Sequence, residues 1–508
     1  MKHKNRFIFS VRQLLLTASL CGGALCGAVE KPNIILVMPD DVGYGDYASL
    51  GNPIIRTPTV DSLKKQSMLF TQFHTSPSCA PCRSALLSGR HEFKNGVTHT
   101  ILERERLSLK TITLPQVLKT VGYTSGIFGK WHLGDEEAYR PESRGFDEVY
   151  IHGAGGIGQT YAGSCGDAPG NSNINPALWH NGKFEKTQGY CTDLFFDQAM
   201  VWMESKQKAK QPFFAMITPN AAHMPLVLPE AYYQQYLGKP GVDINMAKFF
   251  GMIENIDTNL GKLLAKLKEW QIEENTLVIY IGSDNGGTVG VKLFNAGMRA
   301  GKCTVYQGGT RVPCFFRWPA GNIPAGSSCD ALSAHLDILP TLAEITGSIL
   351  SDEVKQQVEG RSLLPLLKNA KAEWPERTLV HHLGRWGNGK AAESKYACSA
   401  IQNARFTLVN NKELYDLQAD PGETKNVIAE HPEVVTTLRA TYDQWWEAVQ
   451  PLLVNEQVNA PKINPFKELY WKQFGGGPAP ELLKKIDPDA SPSPKKPLPA
   501  NPGDTFKR

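Results

Sequence analysis

The chain has little of what would tie it to a polyelectrolyte or a bilayer. Lysine and arginine number 54 against 50 acids, a formal net charge of +4 over 508 residues. No lysine/arginine cluster dominates the folded part, so a nucleic-acid partner is not expected. No internal repeat is present, which argues against a solenoid or propeller array. Beyond the N-terminus no segment is long and apolar enough for a stable membrane span. What remains is ordinary globular composition, 41% hydrophobic and 20% charged. This length allows two or three domains, or one large domain with an appendage.

The N-terminus reads as an export signal over residues 1–28. Lys2, Lys4 and Arg6 make it basic, and residues 7–25 are largely apolar, though broken by Arg12 and Gln13. Cys26-Gly27-Ala28 offers small residues for cleavage after Ala28. The expectation is an exported protein, periplasmic or secreted. Lipidation at Cys21 or Cys26 is disfavoured, because each follows leucine where a lipoprotein signal wants a small residue. Export permits disulfides. Cys165 with Cys191, or Cys303 with Cys314, are open pairings that sequence does not decide.

Apolar runs alternate with helical patterns, which predicts an α/β fold with a sheet covered by helices. Residues 33–38, 124–128, 212–217 and 276–281 read as buried strands. Phe249, Ile253, Ile256, Leu260, Leu263, Leu264 and Leu267 recur at helical spacing and read as a core-facing stripe. Residues 378–382, 404–409 and 414–417 read as short antiparallel strands, followed by a helix over 432–449. The expected organisation is a catalytic domain over 29–368, a C-terminal subdomain over 369–450, and an extension over 451–508. The part of that extension beyond Gly475 is rich in proline and lysine and is expected to be partly disordered.

Each buried run leads into chemistry. Residues 33–38 are followed by Pro39-Asp40-Asp41, and 124–128 by Gly129-Lys130-Trp131-His132. Residues 212–217 lead to Asn220 and His223, and 276–281 to Asp284-Asn285. Open α/β sheets bind ligands beyond the carboxyl ends of their strands, so these groups should converge. Asp40, Asp41, Asp284 and Asn285 form an all-oxygen set suited to a hard cation such as Ca²⁺ or Mg²⁺. Cys79-Ala80-Pro81-Cys82-Arg83, with Leu86-Leu87-Ser88-Gly89-Arg90 behind it, places a thiol at a helix mouth. Pro81 suits a first turn and Gly89 a helix end. The free N–H groups there favour an anion.

That run resembles the signature of the formylglycine-dependent sulfatases, Cys-x-Pro-x-Arg with a Leu-Leu-x-Gly-Arg tail. Gly129-Lys130-Trp131-His132-Leu133-Gly134 resembles a second signature of the family. The resemblance implies an alkaline-phosphatase-like fold: a large, mostly parallel sheet between helices, with a smaller C-terminal antiparallel sheet and helix. It implies that Cys79 is oxidised to formylglycine by a formylglycine-generating or anaerobic sulfatase-maturating enzyme. It also implies one Ca²⁺ (Mg²⁺ as the alternative) held by Asp40, Asp41, Asp284, Asn285 and the modified residue 79. Arg83, Lys130, His132, His223 and Lys302 are the catalytic residues by the same resemblance. Gln307 departs from the glutamate usual before Gly308-Gly309, and Cys82 from the usual serine.

The implied activity is hydrolysis of a sulfate ester, with a sulfated carbohydrate as the expected substrate. Rival readings are a phosphomonoester or phosphonate hydrolase on the same scaffold, an arylsulfatase for small aryl or alkyl sulfates, and a non-catalytic carbohydrate-binding protein. Trp179, His180, Tyr190, Tyr232, Tyr233 and Trp386 are open between sugar stacking and packing. The run Gly153-Ala154-Gly155-Gly156-Ile157-Gly158 lacks the strand-then-helix setting of a dinucleotide loop.

Overall fold

Strands that are apolar on both faces must be covered on both, and that sets the layers here. In the computed structural model, which describes residues 31–159, 166–458, 461 and 463–478, one sheet of 11 strands forms the centre. Its strands are β1 (Asn33–Val37), β2 (Met68–His74), β3 (Thr124–Lys130), β4 (Glu148–His152), β5 (Ala177–His180), β6 (Lys183–Lys186), β7 (Phe213–Thr218), β8 (Thr276–Ile281), β9 (Arg311–Arg317), β10 (Ser327–Cys329) and β11 (Ser333–Ala334). Their order is β10-β2-β9-β8-β1-β7-β3-β4-β5-β6, with β11 also on β2. The run β8-β1-β7-β3-β4 is parallel throughout. Strand β9 runs antiparallel to both β2 and β8, and β5 and β6 close the far edge antiparallel. The four strands expected from sequence are the central β1, β3, β7 and β8. The signal segment, Cys165 and the tail beyond residue 478 lie outside the described residues.

Helices α1 (Pro58–Gln66), α2 (Cys79–Ser88), α3 (Leu114–Lys119), α4 (Cys191–Lys208) and α5 (Ile244–Glu269) flank the sheet. Val60, Leu63, Phe195, Met203, Ile253 and Leu260 of α1, α4 and α5 pack on one face with Ile35 and Val37 of β1. Leu86, Leu87, Leu114 and Leu118 of α2 and α3 pack on the other with Ile34 and Leu36. The alternating side chains of β1 therefore serve two cores, as a two-sided strand must. Asp243 caps α5 by accepting from the Met246 N–H at 2.8 Å. The stripe expected on α5 is buried except Leu264, which is only partly covered.

A second sheet, β12 (Leu379–His382), β13 (Ser399–Gln402), β14 (Phe406–Val409) and β15 (Glu413–Asp416), is antiparallel in that order. The helix Pro432–Val449 buries Leu438, Tyr442 and Trp446 against it. Sequence reading missed β13, whose Ser399-Ala400-Ile401-Gln402 lacks alternation and is buried by strands on both sides. Strand β14 starts two residues later than expected, because the Asn403 carboxamide accepts from the N–H groups of Arg405 and Phe406 and makes a turn there.

The segment after Pro451 contains a helix that sequence reading did not anticipate, Pro465–Phe474. Asn464 caps it by accepting from the Phe466 N–H at 2.9 Å. Phe466 is 1% exposed and meets the rings of Trp179 and Phe184 edge-on at 5.4 and 5.9 Å. The Gln473 carboxamide makes both a donor and an acceptor contact with the Phe184 backbone, so edge strand β6 is partly covered. Phe466, Leu469, Tyr470 and Phe474 recur at helical spacing, a signal that reading this stretch as a loosening tail passed over. Replacing Phe466 by alanine should cost about 3–5 kcal/mol through the cavity left behind. Urea denaturation and protease sensitivity after Pro451 would read this; an unchanged midpoint and cleavage pattern would show that the helix is not docked.

Candidate active site

The carboxyl ends of β1, β3, β7 and β8 open on the N-terminus of α2. Asp40 and Asp41 follow β1, and Asp284 and Asn285 follow β8. Lys130 is the last residue of β3, one residue beyond a close approach: a Cβ on Gly129 would sit 2.0 Å from the Thr218 carbonyl oxygen of β7. Only glycine lets β3 and β7 meet there. His132 (φ 63°) and Asp41 (φ 64°) both hold the left-handed region, which non-glycine residues rarely occupy and which clusters at functional sites.

Cys79 is the first residue of α2 and is buried, with Ser78 extended before it and Gly89 (φ 68°) closing the helix. Ligand atoms of Asp40, Cys79 and Asp284 lie within 4.8 Å of one another, as do those of Asp40, Asp41 and His223. Each acid has one cationic partner. Lys130 Nζ donates to Asp40 Oδ2 at 2.6 Å, and Arg83 donates twice to Asp284 Oδ2, at 3.0 and 2.7 Å. Lys302 Nζ donates to Asp41 Oδ1. Arg83 also donates to the Lys130 carbonyl at 3.0 Å, tying α2 to the end of β3.

The other oxygens fit a cation. Asp40 Oδ1, Asp284 Oδ1 and Asn285 Oδ1 are buried and have no hydrogen-bond partner. Unpaired buried acceptors are costly, and an all-oxygen cluster of this kind is what a hard cation ligates. Asn285 is oriented by donating to Asp41 Oδ1 at 3.0 Å, which leaves its carbonyl oxygen free. Burial, then repulsion from Asp284, pushes the Asp40 carboxyl well above its usual range. Burial also opposes the Asp41 charge, but Lys302, His223 and Lys130 outweigh it and hold that carboxyl well below its usual range. Asp41 in turn keeps Lys302 protonated in spite of its burial.

The histidines are fixed by backbone carbonyls. His132 Nε2 donates to the Thr100 carbonyl at 2.8 Å, so its unpartnered Nδ1 carries the lone pair. His223 Nδ1 donates to the Met224 carbonyl at 2.6 Å, and its Nε2 lies 3.8 Å from Asp41 Oδ2. Burial, then Lys130, holds His132 neutral. Burial brings His223 down to about 3, although Asp41 pulls the other way. An anion arriving at Nε2 would raise it.

All ten sequence-identified site residues therefore meet in one place: Asp40, Asp41, Cys79, Arg83, Lys130, His132, His223, Asp284, Asn285 and Lys302. Sequence reading missed His152, the last residue of β4 and the register neighbour of Lys130. It is buried, and neither ring nitrogen has a partner. Burial, then Lys130, keeps it neutral. Its place at a strand end was the signal available. The stacking candidates divide differently. Trp179, Tyr190 and Trp386 are buried, Trp179 against Phe184 and Trp386 against Phe93. His180 sits between Glu148 and Glu185, and Tyr232 and Tyr233 pack on the α5 core. The Cys303–Cys314 pairing is not made: both are free thiols, as are Cys82 and Cys191. Cys314 lies in β9, away from the loop that carries Cys303. Burial pushes the Cys82 thiol well above its usual range, so it is inert filling within α2. Among the described residues no helix is long and apolar enough to cross a membrane.

Comparison with known proteins agrees with this geometry. The family profile described as Sulfatase matches residues 32–348, and that described as N-sulphoglucosamine sulphohydrolase, C-terminal, matches residues 300–447. The chain is 30% identical over 386 residues to N-acetylgalactosamine-6-sulfatase of Canis lupus familiaris, covering 70% of this chain and 69% of the relative. It is 29% identical over 479 residues to arylsulfatase A of Homo sapiens, covering 84% and 89%. The crystal structure of Ps i-CgsB in complex with k-i-k-neocarrahexaose superposes with a TM-score of 0.73 at 26% identity, over 90% of this chain and 100% of that one. The chain therefore belongs to the sulfatase family, the sulfuric ester hydrolases, and carries their alkaline-phosphatase-like fold.

Proposed function

We propose that this sulfatase removes sulfate from a sulfated carbohydrate, using residue 79 as nucleophile beside one divalent cation, Ca²⁺ by preference. The observation that carries the reading is the cluster of Asp40, Cys79 and Asp284 ligand atoms, with three orphaned buried oxygens around it. Substrate class is supported by relatives named N-acetylgalactosamine-6-sulfatase and by the k-i-k-neocarrahexaose named in the Ps i-CgsB complex. The reading includes export to the periplasm or beyond, and maturation of Cys79 by a formylglycine-generating or anaerobic sulfatase-maturating enzyme.

Oxidised to formylglycine and hydrated, residue 79 supplies the attacking hydroxyl, and the cation, held by Asp40, Asp41, Asp284 and Asn285, supplies a Lewis acid. The chain's own groups do the rest. Arg83, fixed on Asp284, orients the side chain at 79. Lys130 and Lys302 face the sulfate oxygens and offset their charge. When the ester S–O bond breaks, its electron pair stays on the alcohol oxygen; His223, whose Nδ1 keeps its bond to the Met224 carbonyl and whose Nε2 takes up a proton as the anionic ester binds, gives that oxygen the proton, with Lys302 beside it. His132 Nδ1 takes a proton from the side chain at 79 as sulfate leaves.

Replacing Cys79 by alanine should abolish sulfate release with the melting temperature retained; a variant at near-native rate would contradict the nucleophile assignment. Exhaustive chelation should lower both activity and melting temperature, and Ca²⁺ at a hundredfold excess over its Kd should return about 2.7 kcal/mol of stability. Full activity after chelation would remove the cation from the account. An aryl sulfate should turn over faster than the matching aryl phosphate under one set of conditions. The reverse preference would favour the phosphoester reading.

A further inference from the structure

The glycine-rich run after β4 has no place in the mechanism so far, yet it is buried through Ile157. A Cβ on Gly155 would lie 2.9 Å from Gln159 Oε1, the end of a flexible side chain, and 3.0 Å and 3.2 Å from Cε1 and Nε2 of the His132 ring. A Cβ on Gly156 would lie 2.7 Å from His223 Nδ1 and 2.9 Å from the Met224 carbonyl oxygen that this nitrogen uses. Two adjacent glycines thus touch the two imidazoles that handle protons, one each. In both cases the contact takes in Cε1, which bonds to both ring nitrogens, and the nitrogen that is not the working one. It falls beside the hydrogen bond that sets the tautomer: Nε2 to Thr100 for His132, Nδ1 to Met224 for His223.

Backbone conformation does not explain these glycines. Within residues 153–158 the left-handed region is held by Gly158 (φ 82°) and not by Gly153, Gly155 or Gly156. An alanine could adopt their backbone angles but not their space. Nor can the run retreat. Ile157 N–H donates to Asn220 Oδ1 at 3.2 Å, and Gly158 N–H to Asp167 Oδ2 at 2.7 Å. A Cβ on Gly153 would meet the Phe466 ring at 2.8 Å. Asn220 stands three residues before His223, so one carboxamide joins the run to the loop that carries that histidine.

We propose that Gly155 and Gly156 are positioning residues: their bare Cα atoms form a fixed wall that holds His132 and His223 in the tautomer and orientation their proton transfers need. This rests on the functional reading above and adds a division of labour. His223 acts on the leaving oxygen, so Gly156 should matter in proportion to how poorly the alcohol leaves. His132 acts at residue 79 after the alcohol has gone, so Gly155 should slow a step that every substrate shares and level their rates.

The test uses the full-length, matured enzyme and a series of sulfate esters running from para-nitrophenyl sulfate to phenyl sulfates with poorer leaving groups and then to alkyl sulfates. Misplacement of an acid–base group by about 1 Å carries a penalty of up to about 100-fold. Gly156→Ala should lose about 10- to 100-fold in kcat on the poorest leaving groups and little on para-nitrophenyl sulfate, steepening the dependence of rate on leaving-group pKa. Gly155→Ala should bring all substrates down to one low common kcat, with KM falling in parallel and kcat/KM nearly unchanged. Variants with the wild-type rates and leaving-group slope, at wild-type melting temperature and with residue 79 converted, would overturn the proposal. A uniform loss in both variants would also overturn it, because that is what a merely structural role gives. Should either alanine variant fail to fold, Asn220→Ala, which unties Ile157, should steepen the slope as Gly156→Ala does; an unchanged slope counts against the proposal. A wild type that releases no sulfate at all overturns the functional reading and this inference with it. An active wild type whose variants keep its slope overturns only the inference.

Discussion

Three carboxylates in one buried site, each matched to one fixed cation, are the constraint on which the rest depends. Asp40 pairs with Lys130, Asp41 with Lys302, and Asp284 with Arg83. With all three acids ionised the pairs would cancel, while burial and repulsion from Asp284 work against the Asp40 charge before any metal arrives. Such pairs survive burial because desolvation of each charge is offset by a partner at hydrogen-bond distance. Each pairing also leaves carboxylate oxygen over: Asp40 and Asp284 spend one oxygen on their cation and keep the other unpartnered. A divalent cation would satisfy those oxygens and give the site a positive surplus, which suits the anionic sulfate group of the proposed substrate. Removing any one partner would leave a buried charge uncompensated, a far larger penalty than the pair itself contributes.

The scaffold makes this pairing possible by bringing segments far apart in sequence to one sheet edge. Bonded partners within the site lie up to 261 residues apart, as Asp41 and Lys302 do. The parallel run β8-β1-β7-β3 delivers four strand ends to one side, and α2 delivers Cys79 and Arg83 from the neighbouring face. The glycine at 129 lets β3 lie close enough to β7 for the Lys130 carbonyl to accept from both Arg83 and Thr218. Phe466, from a helix near the end of the described chain, packs against Gly153 and so braces the wall behind the histidines. Parts remote in sequence thus share one rigid frame, which suits chemistry that depends on placement to a fraction of an ångström.

Much of this was legible before the structure. The central strands are continuous apolar runs, and the residues that follow each one are charged or amide side chains, so convergence at strand ends followed from topology alone. The acids and the amide that the structure gathers, Asp40, Asp41, Asp284 and Asn285, were picked out from their chemistry, and Lys302 and His223 from the resemblance to a known family. What sequence could not give depends on tertiary contact. Strand β13 has no periodicity and exists because β12 and β14 flank it. The helix Pro465–Phe474 is an exception, since Phe466, Leu469, Tyr470 and Phe474 recur at helical spacing and were there to be read. Trp179 and Trp386 were ambiguous between sugar contact and packing, and burial decides for packing. The glycines at 155 and 156 mark close approach to histidines distant in sequence, a relation that no local pattern records.

The central claim is that residue 79 acts only after its thiol has been replaced, and the mass of the peptide containing it tests that most directly. In a preparation that releases sulfate, residue 79 should be lighter than cysteine by one sulfur and two hydrogens exchanged for one oxygen, with the converted fraction tracking activity across preparations. A fully active preparation in which residue 79 is an unmodified cysteine would contradict the account.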